Sequence, residues 1–510
     1  MSTTTRVIKN TGFLYAKMGI TMFISLYTTR LILNSLGASD FGIFNIVGGA
    51  IAMLGFLNGA MASATQRFMS FAEGAGEKNN EKIIFNVSIV LHFILSIIVG
   101  IALVIAGFIF FNGILNIPKD RIFAAEIVYG SLIISTMFTV MAVPYDAAMN
   151  AHENMKYYAI IGIFESILKL LVAFITVYTL HDKLVVYGVF MAAIPFVTLT
   201  IMRVYCHRKY EECVISPKKY WDKPMIRRMT SFAGWNFTSS AASMVTQYGL
   251  GVMLNSFFGT ILNAAMGVAN QLSGMLMTFS NSMTKALSPV IVKSAGSGDK
   301  DMMIKSSLIG SKYSYYLLAF FAIPFIFEMP MILKLWLKNI PDWAILFCQL
   351  QLIRSLLEGT TGYISTMVNA NGKIKGISIS KSILSIMPLF LSFLSFYFKG
   401  SPYWLYIWWI VCWGILNNIA SLYYANKICG LRYYDYLQHT FYPIFVVSLS
   451  SIITCSVIRI MFIPSYIRLF ATFIISLCAF LFMVYVTMSS LEKETINTII
   501  YSKIFKKKHE

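Results

Sequence analysis

The chain has 510 residues, 57% hydrophobic and 12% charged, with a mean hydropathy of +0.69. A soluble protein of that size needs a charged surface that this composition cannot supply, so the chain is read as an integral membrane protein. The formal net charge of +19 is assigned to cytoplasmic loops, where polytopic proteins concentrate Lys and Arg, and not to nucleic acid.

In chain order the apolar runs predict about fourteen helical spans of the ~20 residues that a hydrocarbon core requires. The first six are Gly12–Leu33, Gly42–Gln66, Ile83–Phe111, Ile122–Asp146, Tyr157–Leu180 and Leu184–Tyr205. The turn between the first two is short, and the first run is too long for a cleaved signal peptide. A polar, basic segment follows at 206–230, carrying HRKYEEC and KKYWDKPMIRR. Six more spans come next: Ser231–Asn255, Ile261–Leu287, Ile304–Phe327, Trp343–Asn369, Ile374–Phe398 and Pro402–Asn426. Gln438–Arg459 and Ser465–Ser489 complete the set, ahead of a tail with Lys506, Lys507 and Lys508.

The outline of Arg30–Lys82 returns about 220 residues later, the pattern of two fused halves. Asn34-Ser35 reappears as Asn255-Ser256, and Thr65 as Thr284. Gly74-Ala75-Gly76-Glu77-Lys78 reappears as Gly296-Ser297-Gly298-Asp299-Lys300. Asn150-Ala151 is echoed by Asn369-Ala370, and Lys156 by Lys375. The expected fold is an all-α integral membrane protein with two pseudo-symmetric six-helix lobes plus two extra C-terminal helices. Its parts are an N-lobe at 1–205, a cytoplasmic linker at 206–230, a C-lobe at 231–427, and the last two helices with the tail at 428–510.

Orientation follows from the loops. With the N-terminus inside, the inner segments hold Arg6, Lys9, Arg67, Lys78, Lys82, Arg208, Lys209, Lys218, Lys219, Arg227, Arg228, Lys373, Lys375 and the tail lysines, whereas the outer set is thin (Lys119, Arg121, Lys183, Lys334, Lys338 and Lys399). Both termini are therefore expected in the cytoplasm. Six spans separate the repeat starts, so the halves insert the same way round, as in transporters with parallel repeats. No loop is long enough to fold as a domain of its own. In the second span Gly55 and Gly59 have the G-x-x-x-G spacing of close helix packing.

Charges inside spans face a partner or water. Lys17 and Arg30 sit in the first span, Arg67 closes the second, and Lys285 lies near the end of the eighth. Lys17, Thr21 and Thr28 share one stripe of an ideal helix, and Arg30 points elsewhere. These four cations are the candidate contacts for an anionic headgroup, since Arg matches phosphate oxygens through its fork of donors. An interfacial anchor for Arg67 and a snorkelling role for Arg30 stand beside that reading. Glu165 with Lys169, and Arg354 with Glu358, are spaced i, i+4 and read as structural ion pairs. Asp146 reads as interfacial.

No metal or cofactor site is expected. The six His residues lack ligand spacing, and four of the seven Cys (Cys348, Cys412, Cys455, Cys478) lie within apolar runs, without a C-x-x-C pair. H-E-x-x-H, G-x-S-x-G and G-x-x-x-x-G-K-[ST] are all missing, and Asp299-Lys300-Asp301 reads as a solvated turn, so an enzyme is not expected.

RLILNSLGASDFGIFNIVGG with SATQRFMSF, then PYDAAMNAHENMKYYAIIGIFESILKLL, then NANGKIK, resembles the bacterial polysaccharide and O-antigen flippases. That family shares a superfamily with lipid II flippases and multidrug and toxin extruders. The resemblance implies alternating access in the bacterial inner membrane, carrying a polyprenyl-pyrophosphate-linked oligosaccharide to the outer leaflet for O-antigen, capsule or exopolysaccharide assembly. It also implies membrane lipid and glycan polymerase machinery as partners, and leaves Na+ or H+ open as the coupling ion. A cation-coupled multidrug exporter of the same superfamily is the alternative; such exporters are expected to carry embedded acids where Lys17 and Arg30 stand.

Overall fold

The structure is a computed structural model that describes residues 3–52, 55–114, 117–337, 339–490 and 492–494. Lys338 and the basic tail Lys506–Lys508 lie outside the described residues. The elements in order are α1 (Thr3–Ala52), α2 (Gly55–Ala75), α3 (Lys78–Ile109), α4 (Ile122–Ala151), α5 (Met155–Tyr178), α6 (Lys183–Lys209), α7 (Lys223–Phe258), α8 (Thr260–Gly296) and α9 (Lys300–Trp336). They continue with α10 (Ala344–Gly359), α11 (Gly362–Asn371), α12 (Lys375–Tyr397), α13 (Trp404–Trp409), α14 (Asn417–Tyr424), α15 (Tyr433–Tyr436), α16 (Tyr442–Met461) and α17 (Tyr466–Thr487). Wider π turns join α13 to α14 and α15 to α16, giving near-continuous helices over Trp404–Cys429 and Tyr433–Met461.

The described residues contain no strand, and nine of their helices are long and apolar enough to cross a membrane. The protein is therefore an all-α, multi-pass membrane protein. Its exposed side chains on the apolar helices suit hydrocarbon, as with Phe93, Ile101, Val104 and Phe108 along α3. By contrast α1, α7 and α8 are long but lie outside the nine. Exposed polar side chains run along them: Ser25, Thr29 and Arg30 on α1, Thr238 and Gln247 on α7, Asn263, Gln271, Thr278 and Asn281 on α8.

Two details differ from the sequence reading. The turn between the first two spans is a kink inside α1, at Gly37, whose φ of 75° is open to glycine without a Cβ penalty. The tenth span is interrupted, with α10 ending at Gly359 and α11 starting at Gly362. Asn418 stabilises the break: its amide donates to the Leu357 carbonyl at 2.7 Å and the Gly414 carbonyl at 2.6 Å, and its carbonyl accepts from Thr361. A side-chain amide here replaces the backbone bonds that helix would have supplied.

The chain forms two compact units. The first comprises Met1–Ala241, Lys285–Met303 and Asn369–Ser378. Its core has one cluster around Ile32, Val47, Leu103, Val128, Ala173 and Leu184, and another around Met69, Phe85, Tyr145, Met149, Cys206 and Met229. Asp182 caps α6 by accepting from the Leu184 and Val185 amides at 3.0 and 3.2 Å, and also takes Arg121 at 2.7 Å. Arg121 bridges onward to Asp40, tying the ends of α4 and α6 to the second half of α1.

Within this unit the two echoed glycine loops meet. Gly76 and Gly298 adopt φ of 70° and 76°, in turns of one geometry. A Cβ on Gly74 would stand 2.2 Å from the Lys293 carbonyl oxygen, and one on Gly296 would stand 2.1 Å from the Phe71 carbonyl oxygen. The ends of α2 and α8 thus touch backbone to backbone, which only glycine allows.

The second unit comprises Ala242–Thr284, Ile304–Val368 and Ile379–Glu510. Its core is aromatic, with Phe347, Tyr406 and Trp409 fully buried among Ala319, Leu333 and Leu352. Here α9 bends at Glu328, whose carboxylate accepts from the Arg468 guanidinium of α17 at 2.9 Å and from the Thr472 hydroxyl at 3.2 Å. Both charges are buried. Removing one partner strands the other, so Glu328→Ala is expected to destabilise the protein by about 3–5 kcal/mol. A thermal unfolding midpoint in detergent that stays at the wild-type value would contradict this.

Candidate substrate-binding cations

The four cations picked from the sequence do not all share one environment. Lys17 of α1 and Lys285 of α8 converge on one ring, that of Tyr158 on α5. The Lys17 ammonium lies 4.3 Å from the ring centroid and the Lys285 ammonium 3.5 Å. Cation–π attraction holds two like charges at one aromatic ring, worth about 0.5–2 kcal/mol each depending on desolvation. Small and apolar neighbours shape the spot. Gly162 gives way to the Lys17 stem, since a Cβ there would lie 2.1 Å from its Cε, while Leu14, Met155 and Ala286 pack around Tyr158. Asp146 reaches Lys285 at 3.5 Å, so one of the two charges has a carboxylate partner.

Chemically this is a cationic patch with an excess positive charge, an aromatic platform and a partner that an anion could displace. Tyr158 was not singled out from the sequence. Its neighbour Tyr157 shares its residue type, and only the helix face that the fold presents distinguishes them. Asp146 was read as interfacial, and its pairing with Lys285 brings together residues 139 apart.

Arg30 lies exposed on α1. Arg67 belongs to a different set of partners: its guanidinium rests on Phe68, Phe71 and Phe232 and donates through Nε and Nη2 to the Ala370 carbonyl at 3.2 and 2.9 Å. Glu165 and Lys169 are joined at 2.7 Å. Arg354 and Glu358 are joined at 2.6 Å, with Arg354 also stacked 4.2 Å from the Trp409 ring. Among the described residues no His, Cys, Asp or Glu group is arranged to hold a metal ion.

A balanced charge cluster, also unmarked in the sequence, sits between α4 and α5. His152 stacks on Tyr210 at 4.1 Å and bridges Glu212 at 2.6 Å and Glu73 at 3.2 Å. Glu153 beside it takes Arg6 at 2.8 Å and Lys293 at 3.4 Å. Burial alone would push the imidazole pKa down, but the bonds and charges of Glu212 and Glu73 outweigh it and raise it from 6.5 to about 9. The His152 bond in turn is the main cause holding Glu73 down at about 2, from 4.5, against its own burial.

The helical layout is shared with solved membrane transporters. A multidrug resistance MATE family transporter of the MOP superfamily, outward-facing, matches with a TM-score of 0.70 at 14% identity, covering 83% of this chain and 95% of that one. A MATE protein in a bent conformation gives 0.71 at 15% identity, covering 83% and 95%. A MOP superfamily transporter from Pyrococcus furiosus, described as having a binding pocket of reversed polarity, gives 0.67 at 14% identity, again covering 83% and 95%. No curated protein sequence matches the chain. The polysaccharide biosynthesis protein family matches residues 7–295, more than half of the chain, and the chain belongs to that family.

The charged cluster has a defined pH response. The His152 contribution to stability is complete below its unfolded pKa of 6.5 and disappears as pH rises through about 9. The Glu73 contribution is present above 4.5 and disappears as pH falls toward about 2. Thermal stability in detergent is therefore expected to decline between pH 6.5 and 9, and His152→Ala should flatten that decline. An unchanged pH profile in the variant would contradict the assignment.

Proposed function

We propose that this protein is a flippase that carries a polyprenyl-pyrophosphate-linked oligosaccharide from the cytoplasmic to the outer leaflet of the bacterial inner membrane, by alternating access. Under this reading both termini are cytoplasmic, and two six-helix lobes, at 1–205 and 231–427, move about the substrate. The observation that carries it is the convergence of Lys17 and Lys285 on Tyr158. An anion-handling patch suits a pyrophosphate and repels the cations that a drug exporter takes. Family membership in polysaccharide biosynthesis supports the same substrate class.

A sugar-pyrophosphate headgroup cannot cross ~30 Å of hydrocarbon unaided, because its polar groups would lose their water partners. A water-filled path lined by polar side chains would supply replacements. Release then requires that the cations hold the pyrophosphate less tightly in the outward state.

The test uses the purified chain in liposomes with a fluorescent polyprenyl-pyrophosphate saccharide, scored by its transfer between leaflets. Transfer is expected in wild type, and Lys17→Ala or Lys285→Ala should slow it roughly 10- to 100-fold, the worth of a hydrogen bond to a charged group. Absence of transfer with ion-driven uptake of a cationic dye would overturn the flippase reading in favour of an exporter.

A further inference from the structure

The ends of α2, α7 and α12 line an open cavity of about 1200 Å³ within the first unit. Arg67, Lys223, Arg227, Arg228, Lys373 and Lys375 line it, against the single carboxylate of Glu77. Among the described residues none of the six cations is in an ion pair. Exposed cations at helix ends are ordinarily just solvated, and Arg227, Arg228 and Lys373 alone would mean no more than that. Two features go further.

The first is Arg67, only partly exposed and held rigidly. Three phenylalanine rings and the Ala370 carbonyl fix its plane, leaving Nη1 without an acceptor among the described residues while the guanidinium lines the cavity. Trp235 adds a further aromatic wall, with the Lys375 ammonium 5.6 Å from its ring. Lys375 begins α12, a helix apolar enough to cross a membrane, and cations gathered at such a helix end suit the depth of lipid headgroups.

The second is a comparison the chain makes with itself. The turn Asn150–Glu153 and the turn Asn369–Gly372 have one geometry. Glu153 N–H donates to Asn150 at 2.9 Å and Gly372 N–H to Asn369 at 3.0 Å, with φ of 53° and 88° at the two donors. In the first turn the residue at that position is a glutamate, and its buried carboxylate neutralises Arg6 and Lys293. In the second it is glycine, and the Arg67 Nη2 lies 2.7 Å from where a Cβ would be. The cations are present at both turns, and the protein's own counter-anion at one.

We infer that the cavity at the ends of α2, α7 and α12 is a binding site for the phosphate-bearing headgroup of a membrane lipid, which supplies the negative charge that Glu153 supplies at the matching turn. Arg67 and the Arg227-Arg228 pair offer the forked donors that phosphate oxygens fit, and the lysines add charge without directional demand. A resident anionic phospholipid and a polyprenyl pyrophosphate present the same chemistry. The site does not depend on the flippase reading, because binding here is measurable whether or not any lipid is transported.

The test is native mass spectrometry of the full chain titrated with phosphatidylglycerol, phosphatidylcholine, undecaprenyl pyrophosphate and inorganic pyrophosphate. Arg67 is left intact because of its packing role. The variants are Arg227→Ala/Arg228→Ala and, to separate charge from fold, Arg227→Lys/Arg228→Lys. Saturable retention of an anionic lipid over phosphatidylcholine is expected, weakened tenfold or more in the alanine pair and less in the lysine pair. Tighter binding of undecaprenyl pyrophosphate identifies a loading site, and tighter binding of phosphatidylglycerol a resident lipid; both uphold the inference. Equal retention of phosphatidylcholine, inorganic pyrophosphate binding as tightly as either anionic lipid, or an unchanged affinity in the alanine pair would overturn it. Loss of transfer in the Lys17 variants, with lipid binding here intact, would leave the two conclusions separate.

Discussion

A charge carried into an apolar helix bundle must find a counter-charge, an aromatic face or water, and the remaining organisation of this protein follows from how each charge does so. Glu328 and Arg468 neutralise one another across a bend in α9, and Thr472 takes up the spare oxygen. Arg354 has both Glu358 and the Trp409 ring. Each of these arginines has a carboxylate within ion-pair distance. Lys17 and Lys285 are different: two cations share one tyrosine ring and a single aspartate at 3.5 Å, which leaves positive charge in excess.

The same distinction separates two turns of matching backbone geometry. At 150–153 Arg6, His152 and Lys293 each have a carboxylate from the chain, among Glu73, Glu153 and Glu212. At 369–372 a glycine stands where the first turn has Glu153, and the cations face a cavity. A duplicated backbone with unequal chemistry is what would let one copy serve packing and the other serve recognition. The glycine loops tell the complementary story, since Gly74 and Gly296 are kept alike by a contact that admits no side chain on either.

Much of this was legible in the residues. Long apolar runs report all-helical, multi-pass architecture because every backbone polar group in hydrocarbon must be satisfied within its own helix. The i, i+4 pairs Glu165–Lys169 and Arg354–Glu358 are local, and their 2.7 and 2.6 Å contacts need only helical geometry. The motifs around Arg30–Lys82 and Pro144–Leu171 carried the family resemblance, and the family match over residues 7–295 covers both. Less legible were the bend at Gly37, where a single residue replaces a turn, and the break after Gly359, which depends on Asn418 from a helix 59 positions later. Glu328 and Arg468 both stand in apolar runs, a signal that each required a partner, although the sequence does not say which.

What the sequence alone determined is therefore what depends on neighbours along the chain: membrane class, helical periodicity, the echoed loops and the sign of the embedded charges. What the tertiary structure decided is which distant charges share an environment. Lys17, Asp146 and Lys285 come from three helices and meet at Tyr158, whereas Arg67 is drawn instead to Ala370, Phe232 and a cavity of its own. The physical reason is that helical periodicity fixes the face on which a side chain lies, while its partner is fixed only when helices far apart in sequence pack together.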